Sequence, residues 1–238
     1  MKHLQQSVKQ VCALLLAMPL LIASSIAQGN DFPTAAPEDV GVSSERLQRL
    51  SNTMQRYIDS NMLAGTVSLV SRNGKVIHVE SQGWKNKEND EPMTDDSIFV
   101  IMSMTKPIVS TALMMLYEEG NFLLTDPITD WIPELEGKQV VIEEDGINYR
   151  MSAHRPITFR HVLSHTAGVD PSREVLTEEE LALLPRKATL EETIINRAPL
   201  PLSFHPGDDW QYGSSTDYVA LLVERISGQS LVDYLQEK

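Results

Sequence analysis

The sequence predicts a mixed α/β fold of antiparallel hairpins covered by helices. Three observations carry that expectation. Two runs rich in β-branched residues, 65–70 and 75–79, flank Asn73-Gly74, whose tolerance of positive φ makes it a strong hairpin signal. A second pair of runs, 140–143 and 147–151, flanks Asp145-Gly146 in the same manner. The stretch 44–60 carries apolar residues at helical spacing, and 108–117 is apolar on nearly every side, the pattern of a buried helix.

At the start of the chain, Lys2 and Lys9 precede an apolar run over 11–22 that ends in small residues, the pattern of a secretory signal peptide. Ser25 and Ala27 suit the cleavage positions, which places the signal at 1–27 and the mature start near Gln28. Pro19 and the shortness of the run argue against a membrane span, so the expected product is secreted or periplasmic with no stable membrane anchor. Cys12 is the only cysteine and lies inside the signal. The mature chain therefore has no thiol, and disulfides, zinc thiolate sites and a cysteine nucleophile drop out. Residues 28–238 are enough for one domain with its own apolar core.

The formal charge is −13, and removing Lys2 and Lys9 takes it to −15. The densest charge, Glu178-Glu179-Glu180 and Glu143-Glu144-Asp145, is acidic and reads as solvated surface. Nucleic acid, which calls for a basic stripe, is not an expected partner. Nothing in the pattern specifies an oligomeric state.

In chain order, Leu47, Leu50, Met54, Tyr57 and Ile58 form the apolar stripe of the first helix, and the first hairpin follows. The stretch 95–99 reads as a loop or short strand, and 99–101 as extended chain before Ser103 opens the buried helix. Gly120-Asn121 stops that helix in a left-handed cap. Asp126-Pro127 predicts a short helix with a capping side chain, ended by Pro133. After the second hairpin, Thr158 can cap a helix bearing Phe159, Val162 and Leu163, closed by Gly168. Thr177 with Glu180 and Thr189 with Glu192 are capping boxes for two more helices. A Pro-rich loop over 199–207 and a polar loop over 212–216 lead to a helix with Tyr218, Leu221, Leu222 and Ile226, stopped by Gly228. Ser230 starts a last helix that runs to Lys238, and from this the sequence is expected to be the N-terminal part of its domain, with the last strands still to come.

Ser103-Met104-Thr105-Lys106 carries the chemistry. Taken alone it is weak, since 21 serines and nine lysines in 238 residues supply about one Ser-x-x-Lys by chance. Its position strengthens it. A serine at the mouth of a helix meets unpaired N–H groups and the positive end of the dipole, which stabilise an oxyanion, and its own N–H can be one donor. Three residues along a helix is nearly one turn, so the Lys106 amine can reach the Ser103 hydroxyl. The amine can take a proton only if burial or nearby positive charge depresses its pKa, and the apolar helix offers burial. A helix-capping serine with a lysine reaching to solvent satisfies the same pattern.

Beyond this motif, the chain resembles the serine β-lactamase and penicillin-binding-protein superfamily, specifically class C β-lactamase-related hydrolases such as family VIII-type esterases and D-aminopeptidases. Ser103 and Lys106 match its first motif. The context matches as well: Asp96-Ser97-Ile98-Phe99, Leu124-Thr125-Asp126-Pro127, the stretch from Ile157 through His161 and His165 to Gly168, and Phe204-His205-Pro206-Gly207 before Trp210-Gln211-Tyr212. The resemblance implies an antiparallel sheet formed from the two chain ends with helices packed on it, plus a mainly helical region from Leu123 to about Arg197. Tyr212-Gly213-Ser214 matches the second motif, which implies Tyr212 as partner base and Ser214 as a residue that orients it or binds substrate. The third motif, Lys-Thr-Gly or His-x-Gly on the strand lining the far side of the site, does not follow the second within residues 1–238; His205-Pro206-Gly207 has the His-x-Gly spelling but precedes Tyr212 in a Pro-rich loop.

The activity implied is that of an exported serine hydrolase acting through an acyl-enzyme on a small ester, amide or β-lactam, with no metal or organic cofactor. A relative that keeps the fold as a binding or regulatory protein is the alternative. His161 and His165 are spaced like zinc ligands on a helix, but Val162 stands where a metalloprotease has its glutamate base, so the pair reads as packing and loop hydrogen bonding.

Overall fold

A computed structural model describes residues 32–184 and 188–238. The expected signal over 1–27, with Cys12, lies outside the described residues. The chain divides into two units, the first ending at Phe99 and the second running from Val100 to Lys238.

In the first unit, α1 (Ser44–Asp59) is capped at its start by Ser43, whose hydroxyl accepts from the Arg46 N–H at 3.3 Å. Two long strands follow, β1 (Gly65–Arg72) and β2 (Lys75–Asn86), antiparallel with Arg72 opposite Lys75. The two residues between them, Asn73 and Gly74, have φ of 54° and 71°, as a two-residue hairpin with a primed turn requires. A short β3 (Glu91–Pro92) adds to the other edge of β2. β2 runs seven residues beyond the expected Val79. Its second half, from Glu80 to Asn86, contains no β-branched residue, and pairing with β1 and β3 imposes the extended form that propensity does not announce. Ser51, the buried residue of α1, donates its hydroxyl proton to Glu80 and so ties helix to sheet. The stretch 95–99 forms no strand.

The second unit is built on two helices, α2 (Thr105–Glu118) and, late in the chain, α6 (Ser215–Ser227), which pack together. Between them in sequence lie the hairpin β4 (Gln139–Glu144) and β5 (Ile147–Ser152), then α3 (Phe159–Leu163), α4 (Glu178–Ala182) and α5 (Leu190–Arg197), with α7 (Leu231–Glu237) at the end. Leu113 and Leu116 of α2, Phe159 of α3, Ile194 of α5 and Tyr218, Leu221 and Leu222 of α6 belong to one apolar cluster. Inside it Phe159 stacks on Phe122 at 3.8 Å between ring centroids and meets Trp131 edge-on at 5.0 Å.

Several local expectations are met. Asp145 and Gly146 have φ of 53° and 76° in the second hairpin, Thr177 and Thr189 accept from the N–H groups of Glu180 and Glu192 at 3.2 Å each, and Gly120 has φ of 81°. Gly120 N–H bonds to the Tyr117 carbonyl and Asn121 N–H to that of Leu116, a Schellman ending.

Other expectations are corrected. Asp126 caps nothing downstream: its carboxylate accepts from the Leu123 N–H at 2.8 Å. The following 3-10 turn, Ile128–Asp130, is entered through a bridge of Pro127 to Thr158, with the Ile157 carbonyl accepting from Ile128 N–H at 2.9 Å. That backbone partner does the work assigned to a side chain. Pro133 begins a separate 3-10 turn, Pro133–Leu135, instead of ending the first. The regular structure from Leu123 to Arg197 is mainly helical, short helices and 3-10 turns set around the one expected hairpin, β4 and β5. α2 buries one face, Val109, Ala112, Leu113 and Leu116, at the helical spacing i, i+3, i+4, i+7, while Ile108 stays exposed.

Candidate active site

The approach to Ser103 is not extended, because Ile101 sits in the helical region at φ −88° and ψ −2°. Met102 then takes φ of 48°, a conformation that costs a non-glycine residue energy and that turns the chain sharply. Ser103 lies in the resulting 3-10 turn, Met102–Met104, which runs directly into α2. Its N–H is thus among those at the head of the helix, as an oxyanion donor should be. Lys106, one turn on, points its Nζ at Ser103 Oγ across 3.3 Å.

Tyr212 reaches the same oxygen from 109 residues away, its hydroxyl 2.7 Å from Ser103 Oγ. The loop that carries it is laid along the segment 165–170 by backbone bonds. Ser203 N–H donates to the Gly168 carbonyl at 2.8 Å, Gly207 N–H to that of Thr166 at 2.8 Å, and Gln211 N–H to that of His165 at 3.0 Å. His165 is off the helix, at φ of 58°, and its ring lies 4.9 Å from the Tyr212 ring. His161, the other member of the spaced pair, takes the Thr158 N–H on Nδ1 at 3.2 Å. The two histidines therefore serve α3 and the Tyr212 loop separately.

The electrostatics around Tyr212 lower the cost of ionising it. The hydrogen bond with Ser103, then that with Lys106, lowers the Tyr212 pKa below the ordinary phenol value, and the Lys106 charge adds to the effect. Lys106 Nζ also stands 4.8 Å from the Tyr212 ring centroid. Lys106 itself is only half-buried: it precedes the buried Val109 and Leu113 on the same face of α2, but stands in the first turn, where its neighbours are exposed, so the burial expected from the apolar helix is incomplete. Burial, and next the Lys106 charge, lowers the His165 pKa, which keeps this imidazole neutral at pH 7.

Ser214 is engaged by Asp170 and Arg197. Its hydroxyl donates to Asp170 Oδ1 at 2.6 Å and accepts from Arg197 Nη1 at 2.9 Å, and its N–H donates to Asp170 Oδ2 at 2.7 Å. Asp170 and Arg197 are the residues that sequence reasoning missed. The available signal was a lone Asp two residues after Gly168 and an Arg at the end of a capped helix, both of which read as ordinary surface charge.

Residues 50–238 match the family described as Beta-lactamase. Esterase EstB of Burkholderia gladioli is 31% identical over 190 residues, which are 77% of this chain and 46% of that protein. Lovastatin esterase of Penicillium rubens is 27% identical over 199 residues, 79% of this chain and 49% of that one. Among solved structures, EstCE1, a hydrolase with promiscuous acyltransferase activity, superposes with a TM-score of 0.65 at 27% identity, covering 80% of this chain and 49% of its own. The chain spans about half the length of the curated relatives it matches.

Proposed function

The chain belongs to the beta-lactamase family, and we propose that it is an exported serine hydrolase that cleaves an ester, amide or β-lactam through an acyl-enzyme on Ser103. The observation that carries the proposal is the convergence of Tyr212 Oη at 2.7 Å and Lys106 Nζ at 3.3 Å on the one hydroxyl of Ser103. The esterase relatives support an ester as the carbonyl attacked.

In the proposed reaction Tyr212 acts in its phenolate form, which Ser103 and Lys106 make more accessible by lowering its pKa. Ser103 Oγ attacks the carbonyl carbon while its proton passes to Tyr212, and the oxyanion forms near the Ser103 N–H at the head of α2. Collapse breaks the bond to the leaving group, which takes the proton back from Tyr212. Water then adds to the acyl-enzyme carbonyl, giving its proton to the phenolate, and Ser103 leaves reprotonated. None of these steps calls for a metal or an organic cofactor.

Labelling with a fluorophosphonate probe tests the proposal. A single modified site in the wild type that disappears in Ser103→Ala is expected. A label that persists in Ser103→Ala, or a folded wild type that takes none, sinks the acyl-enzyme reading.

A further inference from the structure

We propose that Asp170 is the residue that positions Tyr212 against Ser103, and that position 213 is glycine because the Asp170 carboxylate occupies the place of its Cβ. The inference rests on the reading of Tyr212 as the base for Ser103. Tyr212 is half exposed, with 53% of its surface open to solvent, so it is not held by enclosure. What anchors its loop lies on the next two residues. Both oxygens of Asp170 are used on Ser214, one by the N–H at 2.7 Å and one by the hydroxyl at 2.6 Å. Such a two-point grip fixes the loop in orientation as well as position, which a single hydrogen bond to a rotatable hydroxyl would not.

Three further contacts brace this grip. A Cβ added to Gly213 would overlap Asp170 Oδ2, so the loop passes the carboxylate at a distance only glycine allows. The Ser203 hydroxyl shares its one proton between the Asp170 carbonyl and Gln211 Oε1, each 2.9 Å away, linking Asp170 to the residue before Tyr212. Arg197, at the end of α5, lies 3.7 Å from Asp170 Oδ1 and balances its charge while donating to Ser214. The other charged and titratable groups around this cluster are Asp217 and Tyr218 on α6, Lys106 on α2 and His165 beside the loop. Among the described residues Asp170 makes no hydrogen bond to Tyr212 or Ser103, so it acts through the loop and is a positioning residue.

The experiment follows Tyr212 directly in the full chain. Protein grown with ring-labelled tyrosine is titrated by NMR, the Tyr212 signal being the one lost in Tyr212→Phe, and the fluorophosphonate labelling rate is measured in parallel. In Asp170→Ala, folded by circular dichroism, Tyr212 should titrate higher, toward the ordinary tyrosine value of about 10, and labelling should slow by about ten-fold or more. Asp170→Asn, which keeps one acceptor, should lie between. A role in stability alone would lower the melting temperature and leave the Tyr212 titration in place, and that result overturns the proposal. Should Asp170→Ala not fold, Asp170→Asn and Gly213→Ala decide: both readouts unchanged in both variants also overturn it. A wild type that takes no label, but whose Tyr212 titration rises in the Asp170 variants, would sink the acyl-enzyme reading and leave the positioning role standing.

Discussion

Replacing Tyr212 by Phe deletes one oxygen and little else, which makes it the sharpest perturbation of this site. The ring remains to pack beside His165, at 4.9 Å between ring centroids, and to face the Lys106 ammonium at 4.8 Å. What goes is the oxygen 2.7 Å from Ser103 Oγ, the shorter of the two polar contacts on the nucleophile. A positioned general base contributes about 10²- to 10⁴-fold, or about 3–5 kcal/mol of barrier. Lys106 stays 3.3 Å away on the donor side of the same oxygen, so the lost contact is not remade. Tyr212→Phe should therefore lose about 10²- to 10⁴-fold in the acylation rate, with KM changed little because the ring is kept. Stopped-flow release of p-nitrophenol from an activated ester reads acylation separately from turnover. A folded variant that acylates within about three-fold of wild type would refute the assignment, since so small a loss is below what any general base supplies.

The same reasoning sets the pH dependence. Acylation should rise with pH as Tyr212 ionises, along a limb centred below the ordinary value of about 10, because Ser103 and Lys106 both favour the phenolate. In Lys106→Ala that limb should move up toward the ordinary value, and an unshifted profile would detach Lys106 from the tyrosine. In the core, Phe159→Ala removes a side chain with no exposed surface that touches Phe122 and Trp131, and should cost about 3–5 kcal/mol in urea unfolding. The expected signal is tested by N-terminal sequencing of protein from the secreted or periplasmic fraction, which should begin at Gln28, whereas an intact Met1 there, or no protein in that fraction, would refute the expectation.

Read alone, the amino-acid sequence determined those features whose cause lies within a few residues. Asn73-Gly74 and Asp145-Gly146 turn where they were expected to because their own dihedrals permit positive φ. Thr177, Thr189 and Ser230 start helices because a hydroxyl can reach an N–H three residues on. Lys106 finds Ser103 because both stand on consecutive turns of one short helical stretch. Tyr212 entered the site by resemblance, as no local rule connects residues 109 apart. Tertiary structure decided the rest. Burial of α2 on one face depends on α6, which arrives about a hundred residues later, and the full length of β2 depends on strands pairing along both its edges. Asp126 lost its expected role because the Ile157 carbonyl, brought in by a bridge from beyond the second hairpin, already serves the N–H it would have capped. Asp170 gained one in the same way: its carboxylate acquires a function only where packing lays 165–170 beside the Tyr212 loop, and nothing in the neighbouring residues records that meeting.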